Sequence, residues 1–449
     1  TACMENETIT FTVKDILKTE VALSLGCTEP AAIALSAAAA TSLVSKGEIE
    51  HIELWVDPNI YKNGIAVSIP GARGLKGLAM AGAIGAFGGD PERRLEVLEP
   101  ITDAIVDRAE QFVEAEKVKV NLLKDQKGLF IKASVKSDNN IAECIIKDFH
   151  DNITSLSLNN QRVDDSLLIN TGEAGQDVKK VWLVEAWLKE LPFSRLLELI
   201  EDLDVEDLAF LEEGVRYNLR LAEYGLKHAS GLGIGMTLER LVRQRLIKRD
   251  MIISARILTS AASDARMAGA KMPAMSSAGS GNHGLTATLP IWAVKDYIEC
   301  DRKTVLESIG LSHLVTAYVK AYTGRLSAVC GCSIAAGAGA AAGITYLLGG
   351  DIHHIAGAIA NLTEDLAGVI CDGAKDGCSL KLATAAGTAV QSALFSLQGV
   401  QVQSTDGIVG TTPEKTMQNV GELSTQGMIE TDRTILKIML EKQFYNIQY

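Results

Sequence analysis

The sequence predicts an α+β N-terminal domain, with a mixed or antiparallel sheet, followed by an all-α helical domain. The chain has 449 residues, which is enough for two or three domains that each bury a core. Patterns typical of strands concentrate between residues 51 and 147, and from residue 178 onward the apolar residues recur with helical periodicity. We therefore place the boundary in the polar stretch 159–178 and assign residues 1–175 and 176–449 to the two domains.

The N-terminal domain is expected to begin with helices. The stretch 14–45 is rich in Ala and Leu and is interrupted by GCTEP at 26–30. This predicts two helices separated by a tight turn, because proline is favoured in the first turn of a helix. Residues 51–57 and 64–69 carry β-rich patterns and predict a pair of strands. The stretch 71–89 holds seven glycines, so it is either a loop or a helix packed unusually close to its neighbours.

Three further segments, 118–123, 129–135 and 142–147, have the length and apolar pattern of strands and are separated by polar turns. They predict an antiparallel meander.

One apolar stretch, 329–348, reaches the length of a membrane span. It consists mainly of Ala and Gly, lacks aromatic anchors and has no basic flank. It therefore predicts a buried, closely packed helix of a globular domain.

Composition and charge exclude several classes of protein. Hydrophobic residues make up 47% of the chain and charged residues 22%, which excludes a disordered chain. Lys and Arg number 43 against 56 Asp and Glu, and the net charge of −13 opposes binding to nucleic acid or anionic lipid. Eight cysteines are too few for a secreted disulfide scaffold, and residues 1–10 lack the pattern of an export signal. We expect a cytoplasmic protein with no nucleic-acid or membrane partner.

Four of the cysteines concentrate in the last third of the chain. Cys371 and Cys378 enclose a polar loop, and Cys330 and Cys332 stand at the start of the Ala/Gly-rich helix, close to free backbone N–H groups. Thiolates suit zinc or iron–sulfur centres, but this spacing lacks the two short knuckles usual for structural zinc. Spacing alone leaves three interpretations open: ordinary buried residues, a zinc site, and an iron–sulfur cluster or other redox centre.

Two other segments carry groups suited to chemistry. Cys27 precedes the second predicted helix, where the helix dipole would lower the pKa of its thiol, although a lone cysteine in this position can equally be structural. The loop AGSGNHG at 278–284 offers backbone N–H groups, the Asn282 amide and the His283 imidazole, and could bind a carboxylate. It lacks the lysine of a phosphate-binding loop, so a nucleotide is not predicted. The two histidines at 353–354 are assigned to a surface loop between helices.

Five motifs are distributed along nearly the whole chain. They read SLGCTEPAAIALS at 24–36, KNGIAVSIPGARG at 62–74, AGSGNHGLTATLPI at 278–291, CGCSIAAGAGAAAGI at 330–344 and ICDGAKDGCSLK at 370–381. Together they resemble the motifs of the L-cysteine desulfidase family, which is related to the α-chain of bacterial iron–sulfur L-serine dehydratases.

The resemblance implies an oxygen-sensitive [4Fe–4S] cluster that is held by three cysteines and leaves one iron open for substrate. Cys371 and Cys378 match two ligand positions, and the third falls on Cys330 or Cys332, with Cys330 favoured by its position. Cys27 matches the family's N-terminal cysteine, which acts either as a displaceable fourth ligand or as a base. The substrate-binding residues expected from the same motifs are Thr28, Glu29, Asn63, Ser280, Asn282 and His283.

The implied activity is β-elimination of L-cysteine to pyruvate, ammonia and hydrogen sulfide. A base takes the Cα proton while a Lewis acid stabilises the departing sulfur, for which iron is a well-matched partner. The same elimination on L-serine or another β-substituted amino acid is the alternative. A nonenzymatic cluster or amino-acid sensor is disfavoured, because no DNA-binding or signalling module is visible. The expected partner is a small amino-acid substrate, and a homodimer is left open.

Overall fold

The computed structural model describes residues 10–44, 47–169, 173–324 and 327–445. Cys3 and residues 1–9 of the segment assessed for an export signal lie outside the described residues. The helices are α1 (Val13–Glu20), α2 (Thr28–Thr41), α3 (Pro58–Gly64), α4 (Leu78–Gly88), α5 (Asp103–Glu114), α6 (Glu173–Glu190), α7 (Ser194–Glu201), α8 (Val205–Lys227), α9 (Ile234–Arg243), α10 (Met251–Met267), α11 (Gly281–Val294), α12 (Arg302–Thr323), α13 (Gly337–Leu347), α14 (Ile352–Leu366), α15 (Cys378–Leu397), α16 (Pro413–Glu422) and α17 (Ile429–Tyr445). The strands are β1 (Leu23–Leu25), β2 (Ile49–Val56), β3 (Val118–Leu122), β4 (Phe130–Ser137), β5 (Asn140–Lys147), β6 (Ile153–Leu158), β7 (Gln161–Arg162) and β8 (Pro273–Met275).

The N-terminal region is built on a mixed sheet with the strand order β3-β2-β4-β5-β6-β7. β2 and β3 run parallel, with Ile52 opposite Val118, and the remaining neighbours run antiparallel. A helical region follows, so the predicted fold class is confirmed. The division at residue 175 stays a prediction.

Two strand predictions in this region are wrong. Of the predicted strand pair, only the first member forms, as β2, and residues 64–69 form no strand. After β2 the chain enters a helix, because Asp57 caps α3, which begins at Pro58. Its carboxylate accepts hydrogen bonds from the backbone N–H groups of Asn59 and Ile60, at 2.8 and 3.1 Å. The predicted meander is wrong at its first strand, because β3 pairs in parallel with β2 and not with β4. β4 and β5 are antiparallel as predicted, and β6, which was not predicted, pairs antiparallel with β5.

The second part of the glycine-rich stretch forms the helix α4, which packs against α2 beneath the sheet. At Gly85 a Cβ atom would collide with the backbone of Ala34, so the two helices touch through their main chains. The expected close packing is confirmed over 78–88. Residues 71–77 remain a loop.

The C-terminal region is an assembly of helices around a second apolar core. The predicted buried helix at 329–348 is present as a π-helical turn, Cys332–Ala336, that continues into α13. None of the helices in the described ranges has the length and apolar character needed to cross a bilayer. The histidines at 353–354 lie in the first turn of α14, so their assignment to a loop is wrong: Asp351 caps this helix and bonds to His354.

Two connections hold the regions together near their shared boundary. β1 pairs antiparallel with β8, placing Leu23 opposite Met275. α17 returns to the N-terminal region, where Leu436 and Leu440 pack against the apolar core beneath the sheet. The turn after β1 and the loop after β8 are therefore neighbours, although about 250 residues separate them in the chain.

The buried His313 predicts an acid-sensitive fold. Its ring is 2% exposed and its Nδ1 lies 2.8 Å from Ser277 Oγ, just before the 278–280 loop. Burial lowers the pKa of His313 from 6.5 to about 4. The unfolded chain therefore binds the proton more tightly, and stability is lost as pH falls from 6.5 toward 4.

We expect His313 to contribute a loss of about 2 kcal/mol in the free energy of unfolding between pH 7 and pH 5. Urea unfolding of the wild type and of His313→Asn at both pH values measures it, because the amide cannot titrate. An equal loss in the two proteins would contradict the prediction.

Candidate functional site

A single cavity of about 650 Å³ lies between the two regions and gathers all the site residues expected from the sequence. These are Cys27, Thr28, Glu29, Asn63, Ser280, Asn282, His283, Cys330, Cys332, Cys371 and Cys378. The size is typical of pockets for small molecules and cofactors.

The turn that carries Cys27 is shaped by Gly26. This glycine has φ +69°, and a Cβ atom there would collide with the ring of Pro70, so other residues are disfavoured. Cys27 follows as the N-terminal cap residue of α2 and is 3% exposed. Its side chain packs with Val67 and Met267 against Cys378.

Arg266, near the end of α10, is the polar partner of Cys27 and was missed in the sequence. Its Nη1 donates to Cys27 Sγ at 3.6 Å and to Asn282 Oδ1 at 3.0 Å, and its Nη2 donates to the carbonyl oxygen of Gly26 at 2.5 Å. The side chain is 4% exposed. One guanidinium thus joins the N-terminal turn to the loop at the start of α11.

The expected lowering of the Cys27 pKa is wrong. Burial raises the pKa of this thiol to about 11, against the opposing influence of Arg266. Glu29 adds to the increase, because its negative charge disfavours a second anion nearby. The helix N-terminus and one guanidinium do not compensate for the lost hydration.

Cys330 and Cys371 are brought together by a short antiparallel bridge between Val329 and Ile370. The N–H of Cys330 donates to Val369 O at 2.8 Å, and the N–H of Cys371 donates to Ala328 O at 2.6 Å. Since side chains alternate between the two faces of paired strands, both cysteines lie on the face opposite to the bridging residues.

Cys332 lies in the π-helical turn that follows the bridge, and the two neighbouring thiols differ in acidity. The hydrogen bond from Cys332 lowers the pKa of Cys330 to about 6, whereas the pKa of Cys332 is raised. Cys330 is therefore the more acidic of the pair.

Cys378 begins α15, at the end of a loop that lies against α3. Burial raises the pKa of its thiol to about 12, and the thiol donates to Gly373 O at 3.7 Å. Gly373 has φ +92°, and a Cβ atom there would collide with the carbonyl oxygen of Lys62. The loop can approach α3 this closely because position 373 has no side chain.

Two cavity-lining lysines donate hydrogen bonds to the backbone of the cysteine loop. Lys62, which is 2% exposed, donates from Nζ to Cys371 O at 3.2 Å and pairs with Asp432 of α17. Lys381 donates to Ile370 O at 2.8 Å and to Asp372 Oδ1 at 2.6 Å. Both bring positive charge close to the thiols of the loop.

Glu29 and Asn63 form the polar wall on the N-terminal side of the cavity. Asn63 Nδ2 donates to Glu29 Oε1 at 3.1 Å, and His150 Nε2 lies 3.8 Å from the same oxygen. Burial opposes the ionisation of Glu29, but His150 and Asn63 outweigh it and keep the pKa of this carboxyl below its usual range. Thr28 lies beside Glu29 in the first turn of α2.

The loop after β8 forms the opposite wall. Ser280 occupies the N-cap position of α11 without a capping side-chain hydrogen bond, and Asn282 and His283 lie in the first turn, 5% and 7% exposed. A Cβ atom at Gly331 would meet His283 Nε2, so the imidazole lies directly beside the cysteine segment.

Other cavity residues had no visible signal in the sequence. Arg266 belongs to a regular helix, and His150 and Trp182 come from segments with no motif. Their roles follow from tertiary structure, which brings them to the cavity.

Among the described residues, no three His, Cys, Asp or Glu side chains form a ready site for a single metal ion. A four-iron cluster makes a different demand, because each thiolate binds a different iron. The cavity supplies thiols from separate segments, which fits that demand in its donor chemistry.

The comparisons with known proteins define the class. Residues 92–437 match the family described as serine dehydratase alpha chain, and the chain belongs to that family, whose description denotes a dehydratase-like lyase. The match begins after Cys27 and Asn63.

Relatives span nearly the whole chain. A UPF0597 protein from Desulfatibacillum aliphaticivorans is 63% identical over 435 residues, which are 97% of this chain and 99% of the relative. One from Desulfotalea psychrophila is 59% identical, covering 96% and 99%, and one from Clostridioides difficile is 43% identical, covering 95% and 98%. These names state no activity.

The loop geometry generates a prediction at Gly373. Gly373→Ala forces a side chain into a left-handed conformation against Lys62 O, and we expect it to destabilise the protein by about 1–3 kcal/mol. The midpoint of thermal unfolding measures the effect. Gly377→Ala is the matched control, because Gly377 has φ −61° and only the Lys375 side chain within 4.0 Å. Equal stability of the two variants would refute the assigned role of Gly373.

Proposed function

We propose that the chain catalyses the iron–sulfur-dependent β-elimination of L-cysteine to pyruvate, ammonia and hydrogen sulfide. The observation that carries the proposal is the gathering of five cysteines from separate parts of the chain around one cavity. Membership of the serine dehydratase alpha chain family supports a lyase of this type. The choice of L-cysteine goes beyond the family and rests on the resemblance of the five motifs to cysteine desulfidases.

We assign Cys371, Cys378 and Cys330 as the residues that would hold a [4Fe–4S] cluster. The bridge at Val329 and Ile370 supports Cys330 over Cys332, because it sets Cys330 and Cys371 on one face. When bound, the cluster would supply a Lewis acid for the leaving group.

The chain's own residues supply charge compensation and proton handling. Lys62 and Lys381 fix the carbonyl groups around Cys371 and offset the negative charge of thiolates. Cys27 Sγ holds a proton in the substrate-free chain, and Arg266 Nη1 at 3.6 Å would stabilise the thiolate once that proton is given up. In either proposed role, base or displaceable ligand, Cys27 first transfers this proton to solvent, because only the thiolate accepts a proton or binds iron.

The second candidate is the same elimination on L-serine, with water as the leaving group. The family description favours it, since it denotes serine dehydratases. Thiolate and hydroxide leaving groups differ in softness. Turnover of L-cysteine and of L-serine by the same protein therefore distinguishes the two candidate functions.

Cluster content tests the ligand assignment. Protein purified without oxygen should contain about four irons and four sulfides per chain. We expect Cys371→Ala and Cys378→Ala to lose this content, because each removes a ligand. Cys300→Ala is the control, since Cys300 is exposed and lies outside the cavity. Iron and acid-labile sulfide analyses provide the measurement, and normal content in either ligand variant would overturn its assignment.

The third ligand is resolved by the same analyses. Cys330→Ser should lose iron while Cys332→Ser keeps most of it, and the reverse result would exchange the two roles.

The role of Cys27 is tested by turnover. Cys27→Ala should retain the cluster's iron but fall to background in sulfide and pyruvate release from L-cysteine under anaerobic conditions. L-Serine at equal concentration runs alongside. Full activity of the variant would refute the role of Cys27, and wild-type turnover of serine alone would establish the dehydratase.

A further inference from the structure

Arg266 is a buried cation that lacks a counter-ion. Its donors reach two neutral oxygens, Gly26 O and Asn282 Oδ1, and the Cys27 thiol. No carboxylate pairs with it among the residues that the structure describes. A guanidinium stays charged at every physiological pH, and burying it without an anion is unfavourable. The group lines the cavity, so an anionic ligand can supply what the chain does not.

Glu29 carries the opposite charge in the same cavity. The carboxylate is 9% exposed, and within the described ranges it pairs with neither lysine nor arginine; Asn63 and His150 are its partners. The Oδ1 atom of Asn63 is buried and accepts no hydrogen bond from any described residue. This wall therefore offers a negative charge and a spare acceptor, which suits a ligand rich in N–H donors.

The two charges belong to one site but not to one ion pair. Arg266 contacts Cys27 Sγ directly, and Glu29 follows Cys27 by two residues in the first turn of α2. Both act on the same thiol, in opposite directions. Arg266 and Glu29 form no ion pair with each other, and His150 is the only charged partner of Glu29 among the described residues, so both groups act on the space around Cys27.

We infer that Arg266 and Glu29 form a receptor for a zwitterion, in which Arg266 binds the α-carboxylate of the substrate and Glu29 with Asn63 binds its α-ammonium group. This rests on the proposed function and specifies which end of the amino acid each wall takes. A free α-amino acid compensates both buried charges at once, whereas a carboxylic acid or an amine compensates one. The site thereby selects amino acids from other β-substituted acids.

The test compares three thiols that differ only in their charged groups: L-cysteine, 3-mercaptopropionate without the ammonium group, and cysteamine without the carboxylate. Dissociation constants come from ligand-observed NMR on the anaerobic protein, which requires no turnover. Because all three probes carry the same thiol, its contribution cancels in the comparison.

We expect Arg266→Gln to raise the dissociation constant of 3-mercaptopropionate by about tenfold or more. The dissociation constant of cysteamine should change by less than about twofold. Glu29→Gln should do the opposite, and both variants should weaken L-cysteine. Arg266→Lys retains the charge and should preserve part of the affinity for 3-mercaptopropionate. Circular dichroism and thermal unfolding establish that each variant is folded.

Arg256→Gln is the matched control. This arginine lies on the same helix, α10, has an Nε without an acceptor and packs against Gly387, outside the cavity. It should leave all three dissociation constants unchanged.

Two outcomes overturn the inference: Arg266→Gln weakening both analogues equally, or weakening neither. If Arg266→Gln weakens the binding of neither analogue, the guanidinium interacts with the Cys27 sulfur and not with the ligand. The proposed function fails separately, because selective binding without sulfide or pyruvate release would keep the zwitterion receptor and refute the lyase activity.

Discussion

The pairing of two three-residue strands determines how the Cys27 turn and the Asn282 loop meet at the cavity. β1 and β8 join in antiparallel register, so the turn bearing Cys27 emerges beside the loop bearing Asn282. Arg266 then crosses this junction and bonds to both sides. The turn and the loop hold each other in place, because β1 finds its pairing partner on a segment about 250 residues away.

Much of the fold follows from local pattern, and the departures have local causes. The sequence allowed either loop or helix at 71–89, since glycine favours both a flexible loop and a close helix crossing. The contact of Gly85 with Ala34 accompanies a helix over 78–88. Asp57 with the following proline starts a helix where β-rich composition indicated a strand. The pairing of β3 with β2 is invisible in sequence, because strand order depends on contacts distant in the chain.

In the site, too, local motifs predict some residues, and tertiary contacts determine the others. The cysteines, Glu29 and Asn63 stand in recognisable motifs, and the structure brings them to one cavity. Arg266 stands in a helix with no motif, and its importance depends on burial and on missing a counter-ion. The acidity of Cys27 could not be predicted for a related reason: desolvation depends on how completely the two regions close around it, and it exceeds the helix dipole.

The return of α17 to the N-terminal region has a consequence for biosynthesis. Asp432 binds Lys62, and Lys62 binds the backbone of Cys371, so the cysteine loop is held by a residue that the ribosome adds 61 positions later. During synthesis the loop emerges before its clamp exists, while the sheet and α2 are already complete. The contact between Asp432 and Lys62 therefore forms only after α17 has been translated, and until then the loop lacks this part of its support.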